Sequence, residues 1–119
     1  MNPHNPVIKL CIAGTQAEFR GQIDLARRLY QQAWESAQDA YEACIAAHYV
    51  ARHQSDPQES LHWNQVALQK AQAVGDQRVE EFYPSLYLSM GQSLELLGKL
   101  DEAQRYYNLA AEMGFPHKM

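Results

Sequence analysis

Histidine, cysteine and carboxylate are the side chains here that could do chemistry, and their spacing decides whether they do. His48, His53 and His62 fall close together in mid-chain, with Cys44 four residues before His48. On a helix Cys44 and His48 share a face, as two metal ligands would. Zinc needs three or four nitrogen or sulfur ligands, and no third stands at a suitable spacing. His53 lies five residues beyond His48 and so off that face. These histidines read more simply as solvated or core residues, and His62 and Trp63 as packing at a helix start. The carboxylates Asp39, Glu42, Glu80, Glu81, Asp101 and Glu102 are dispersed near expected helix starts, where the helix dipole favours them. No pair stands out as an acid and a base. The sequence has no Gly-rich phosphate loop, no Gly-x-Ser-x-Gly and no His-Glu-x-x-His. The reading is a non-catalytic protein with no cofactor and no metal.

Charge narrows the partners. Ten Lys and Arg stand against fourteen Asp and Glu, a formal charge of −4. Nucleic acid and anionic membrane surfaces are held by basic patches, which this balance disfavours. Arg20, Arg27 and Arg28 come nearest to a basic row and read as a solvated face. There is no long apolar run to form a membrane span or a signal peptide. The expectation is a soluble, cytoplasmic domain. Cys11 and Cys44 are too few for a disulfide framework and are expected reduced and buried.

The elements that position these residues are helical. The chain has 16 Ala, 12 Leu and 13 Gln against ten β-branched residues, and the first three lose little side-chain entropy in a helix. With 119 residues, 46 % of them hydrophobic, it can bury one core. Gly21, Ser55-Asp56-Pro57, Gly75-Asp76, Gly98 and Gly114 interrupt helix-compatible stretches. Six helices are predicted, at about residues 7–19, 22–37, 40–53, 57–74, 77–97 and 101–113. Short turns make neighbours antiparallel. Residues 1–6, with two prolines, read as a disordered lead-in.

Small residues then recur at a fixed interval. Ala26 to Ser60, Leu29 to Trp63 and Ala33 to Ala67 are each 34 residues apart. Ser60 to Ala103 is 43, which is 34 plus nine. Ala26-Tyr30-Ala33, Ser60-Asn64-Ala67 and Ala103-Tyr107-Ala110 share the spacing i, i+4, i+7 and so one helix face. With these residues, above all Gly98 to Ala110 and Gly21 to Ala33, the sequence resembles the tetratricopeptide repeat family, whose unit is a 34-residue helix–turn–helix. The resemblance covers about residues 7–113 as a single domain. It places Gly14, His48 and Gly91 at the small position of each first helix, and Tyr30, Asn64 and Tyr107 at the aromatic position of each second.

The middle unit departs from that pattern at His48 and Asn64, which implies a wider helix crossing there or the least stable unit. The family's terminal proline is missing from all three units. The implied fold is an all-α solenoid of three helix-turn-helix hairpins, six antiparallel helices. Its units lie at about 7–40, 41–74 and 84–117, with an insert at 75–83. Pro84 fits either the start of a helix or a kink within one. The good helix formers of residues 77–83 favour the kink, giving an extended first helix that projects from the stack with Phe82 and Tyr83.

The resemblance also implies a function: an interaction scaffold or adaptor that takes a partner's peptide or helix in its concave groove. Groove-facing positions by family pattern are Ile8, Cys11, Ile12, Thr15 and Glu18, then Glu42, Ile45, Tyr49, Arg52 and His53, then Ser85, Leu88, Ser89, Gln92 and Glu95. Some family members clamp the carboxylate tail of heat-shock chaperones with lysine, asparagine and arginine. The matching positions here are Cys11, Thr15, Ala46, Ser85 and Ser89, which carry no positive charge, so that partner is set aside. An apolar partner, with Tyr49 and Arg52 at the rim, fits better. The alternative is that Ile12 and Ile45 are inter-helix core.

A second stripe on the last helix, Tyr106, Leu109 and Met113, continues to Phe115. With no polar capping helix after it, the stripe suggests a homodimer through this end, joined by Phe82 and Tyr83. Alternatively, it packs on its own unit.

Overall fold

The computed structural model describes residues 2–115. Among them there are seven α-helices, one 3-10 turn and no strand. The helices are α1 (Pro6–Phe19), α2 (Ile23–Ser36), α3 (Ala40–Val50), α4 (Pro57–Val74), α5 (Gln77–Glu80), α6 (Tyr83–Leu96) and α7 (Leu100–Glu112), with the 3-10 turn Ala51–His53 extending α3. No helix of the described residues is long and apolar enough to cross a membrane.

Side chains at the boundaries fix where helices begin. Asn5 accepts hydrogen bonds from the backbone N–H of Val7 and Ile8, and Pro6 occupies the first turn, where its missing N–H costs nothing. The Asn5 amide also donates to Glu42 Oε2 at 2.8 Å. The segment expected to be a disordered lead-in is thus tied down at Asn5 and Pro6. Met1, and residues 116 and 117 assigned to the third unit, lie outside the described residues. Asp39, Asp56 and Asp76 cap α3, α4 and α5 in the same manner.

The stretch expected to be one long fifth helix is two. Helix α5 stops at Glu80, the chain turns at Glu81 and Phe82, and α6 starts afresh with Pro84 in its first turn. Proline has no N–H for an interior helical bond, so a new start accommodates it better than a kink. Nor does the insert project. Val79 is buried in the main core, and Phe82 packs against Tyr41 with ring centroids 6.2 Å apart.

Three antiparallel pairs form: α1 with α2, α3 with α4, and α6 with α7. Successive pairs join through α2 on α3, α1 on α3, and α4 on α6. Trp34 of α2 meets Trp63 of α4 edge to face at 5.0 Å. Ala33, Ala67 and Ala110 have no exposed surface, as do Ala26 and Ala103.

The first and third pairs are built alike in detail. Tyr30 lies against Gly14, and Tyr107 against Gly91, so closely that a Cβ on either glycine would run into the ring. Each tyrosine hydroxyl donates to a glutamate one turn beyond the glycine: Tyr30 to Glu18 at 2.6 Å, Tyr107 to Glu95 at 2.8 Å. Burial and this bond raise both phenol pKa values, that of Tyr107 to about 12. Both turns close identically. Gly21 (φ +75°) and Gly98 (φ +77°) adopt the left-handed conformation that glycine tolerates. The next residue's N–H then reaches back to Ala17 O or Leu94 O, each at 2.9 Å. All three members of each set are offset by 77 residues, twice 34 plus nine. In the middle pair His48 and Asn64 take the glycine and tyrosine places, so the bulk is on the first helix and the gap above the second.

Candidate binding cleft

Helix α3 packs on α1, α2 and α4, while α6 packs on α4 and α7. The α3 and α6 backbones stand apart, and two adjoining hollows open between them. One, of about 150 Å³, is walled by Cys44, Ile45, Tyr49, Phe82 and Leu86. The other, of about 510 Å³, is polar and floored by Ser60 and Asn64 of α4. His48 and Ser85 line both, so the hollows form one cleft with an apolar and a polar end. Ser85, Ser89 and Ser93 recur every four residues along α6 and face it.

The residues expected in the groove separate into three sets. Ile8, Cys11 and Ile45 are 1 %, 2 % and 4 % exposed and belong to the core that joins α1, α2 and α3. Ile8 and Cys11 therefore offer nothing to a partner, and Ile45 reaches the cleft only as a wall. Helices α1 and α3 pack closely, so the α1 positions that would open onto a groove meet α3 instead. Burial pushes the Cys11 thiol up to about 12 and that of Cys44 to about 11, so both stay protonated. Both are free. Ile12 is exposed on α1, and the Thr15 hydroxyl donates to Cys11 O at 3.0 Å; neither lines the cleft. The third set, Tyr49, Arg52, His53, Leu88 and Gln92, does line it.

Arg52 and His53 are not loose rim groups. Glu18 of α1 sits 2.8 Å from Arg52 Nη2 and 2.8 Å from His53 Nε2, while accepting the Tyr30 hydroxyl. Burial alone would raise this carboxyl. The bonds from Tyr30 and His53 and the Arg52 charge outweigh it and hold Glu18 below its ordinary value. One carboxylate thus ties α1 and α2 to the end of α3 and braces the polar end of the cleft.

Sequence reasoning missed His48, Asn64, Ser60 and Ser93 as cleft residues. The signal was present: His48 and Asn64 are where the middle unit departs from its neighbours. It also missed Phe19 and Leu96, 88 % and 74 % exposed and offset by the same 77 residues. Leu96 lines the polar end. Glu42, another expected groove residue, instead accepts from Asn5 and from the Gln38 N–H.

Of the residues expected to mediate self-association, Phe82 packs on Tyr41, and Tyr83, Tyr87 and Tyr106 form a ladder with spacings of 5.6 and 6.1 Å. These three are half-buried within the chain. Leu109, Met113 and Phe115 are exposed. Among the described residues no three His, Cys, Asp or Glu side chains gather as metal ligands would.

No protein-family model, curated protein or solved structure matches this chain.

Proposed function

We propose that the chain is a tetratricopeptide-like helical repeat, a short solenoid of three hairpins, acting as a non-catalytic adaptor that binds an extended peptide of a partner protein. The matching Gly–Glu–Tyr sets and glycine turns of the first and third pairs support the repeat reading. The single observation that carries the binding reading is the cleft between α3 and α6. It is open to solvent, and it offers an apolar hollow beside a polar one. An apolar side chain seated among Ile45, Tyr49, Phe82 and Leu86 would leave water, gaining about 25 cal/mol per Å² of apolar surface covered.

The test is selection from a random library of acetylated heptapeptides with wild type and Ser85→Trp. Ser85 is exposed and lines both hollows, so an indole there fills the cleft without disturbing the core. Wild type is expected to enrich a family of sequences that Ser85→Trp binds at least about tenfold more weakly, a loss of roughly 1.4 kcal/mol. Equal binding by both proteins contradicts the assignment.

A second reading, self-association through the end of α7, rests on the exposure of Leu109, Met113 and Phe115. A monomer by sedimentation at high micromolar concentration removes it.

A further inference from the structure

A third hollow shares no lining residue with the cleft. Its volume is about 420 Å³, within the range of small-molecule sites. Asp24, Arg27, Arg28 and Gln31 line one side of it. Their spacing of i, i+3, i+4 and i+7 puts them on one face of α2. Val50 at the end of α3, Gln54 just after the 3-10 turn and Trp63 of α4 line the rest. Arg27 and Arg28, expected on a solvated face, are indeed exposed, but they border this hollow.

Three features give the hollow a chemistry. First, neither guanidinium is in an ion pair among the described residues. Glu18 takes Arg52 and His53, Asp76 takes Arg78, and Asp24, one turn before the two arginines, takes neither. Second, two cations against one carboxylate make the hollow locally positive, in a chain whose formal charge is −4. Third, Trp63 and Val50 add apolar wall, and Trp63 is braced edge to face by Trp34 at 5.0 Å. The Gln54 amide donates to Val50 O at 2.8 Å, which holds that side chain in place.

We propose that this hollow is a binding site for a phosphate ester that carries an aromatic ring. The phosphoryl oxygens accept from Arg27 and Arg28, and the ring lies against Trp63 and Val50. One guanidinium in bidentate contact satisfies a carboxylate. Two at neighbouring positions suit a group with three terminal oxygens and up to two charges. Inorganic phosphate covers no apolar wall, and an uncharged ring gives the guanidiniums no acceptor of charge. A phosphotyrosine side chain and a free nucleoside monophosphate both have the required chemistry. The site is independent of the peptide cleft.

The experiment titrates the labelled protein with phenyl phosphate and follows the Trp63 indole N–H resonance. Saturable binding is expected, with inorganic phosphate and benzoate each at least about tenfold weaker. Arg27→Gln and Arg28→Gln are each expected to weaken binding about tenfold. Both positions are exposed and unpaired, so urea denaturation of these variants is expected to match wild type. Asp24→Asn removes the one opposing charge and is expected to strengthen binding by about twofold to fivefold, a gain that a damaged fold would not produce. Phosphotyrosine amide and adenosine monophosphate then separate the two sources: the tighter of them names the ligand. No saturation up to about 10 mM phenyl phosphate, or unchanged binding in the Arg27→Gln/Arg28→Gln double variant, overturns the site. Equal binding of benzoate overturns the phosphoryl assignment, and equal binding of inorganic phosphate overturns the aromatic one.

Discussion

Tyr107→Ala is expected to lower the free energy of unfolding by about 3–5 kcal/mol, measured by urea denaturation. The ring is buried against Gly91, its hydroxyl is bonded to Glu95, and both contacts go with it. A small domain has roughly 5–15 kcal/mol in total, so this one truncation removes a large share. Gly91→Ala is the complementary probe. Alanine in a helix interior is ordinarily worth roughly 0.5–1 kcal/mol over glycine. Here the new methyl meets the ring, and overpacking costs about 1–3 kcal/mol, so the net effect is a loss. With Tyr107→Ala already present the obstruction is gone, and Gly91→Ala becomes neutral or stabilising. That change of sign in the double-mutant cycle is the signature of direct contact. Tyr30→Ala and Gly14→Ala repeat the pattern if the two pairs are equivalent; additive effects in both cycles contradict it.

His48 makes stability fall in mild acid. Burial, with a smaller contribution from the Arg52 charge, lowers its pKa from 6.5 to about 4. Between those values the unfolded chain binds a proton that the folded chain refuses. Stability is therefore full above about pH 6.5 and is lost as pH falls toward 4, by roughly 3 kcal/mol over the whole window. The carboxylates add their own acid limb, Glu18 among them, since its pKa is lowered by Tyr30, His53 and Arg52. The difference between wild type and His48→Phe isolates the histidine. That difference is expected to be constant above pH 6.5 and to grow in favour of the variant below it. A difference independent of pH between 7 and 4.5 shows that His48 titrates normally in the folded protein.

Much of the helix pattern was legible because local chemistry and periodicity agree. Asp56-Pro57 starts α4 and Gly75 ends it where expected. Gly21 and Gly98 mark turns whose geometry is the same in both pairs. The fifth helix was misread because residues 77–83 are good helix formers, yet Pro84 has no N–H to carry a helix through. Propensity favours continuation, and one missing donor decides against it.

The cleft was harder to read, for a reason of packing. Groove positions transferred by spacing assume equal gaps between successive first helices. Here α1 closes on α3 and buries Ile8 and Cys11, whereas α6 stands off from α3 and leaves Leu88 and Gln92 accessible. No local pattern states the distance between helices forty residues apart. The clue that did exist was chemical. A histidine replacing glycine and an asparagine replacing tyrosine put polar atoms where the neighbouring pairs have a ring over a bare backbone.

The most direct test of the peptide-binding account is a titration of labelled protein with a library-selected peptide, followed by backbone amide chemical shifts. The account predicts the largest changes at His48, Tyr49, Ser85, Ser89 and Gln92, on the facing sides of α3 and α6. Changes gathered instead on the outer face of α2, around Arg27 and Arg28, or on Leu109 and Met113 of α7, would place the partner elsewhere and contradict it.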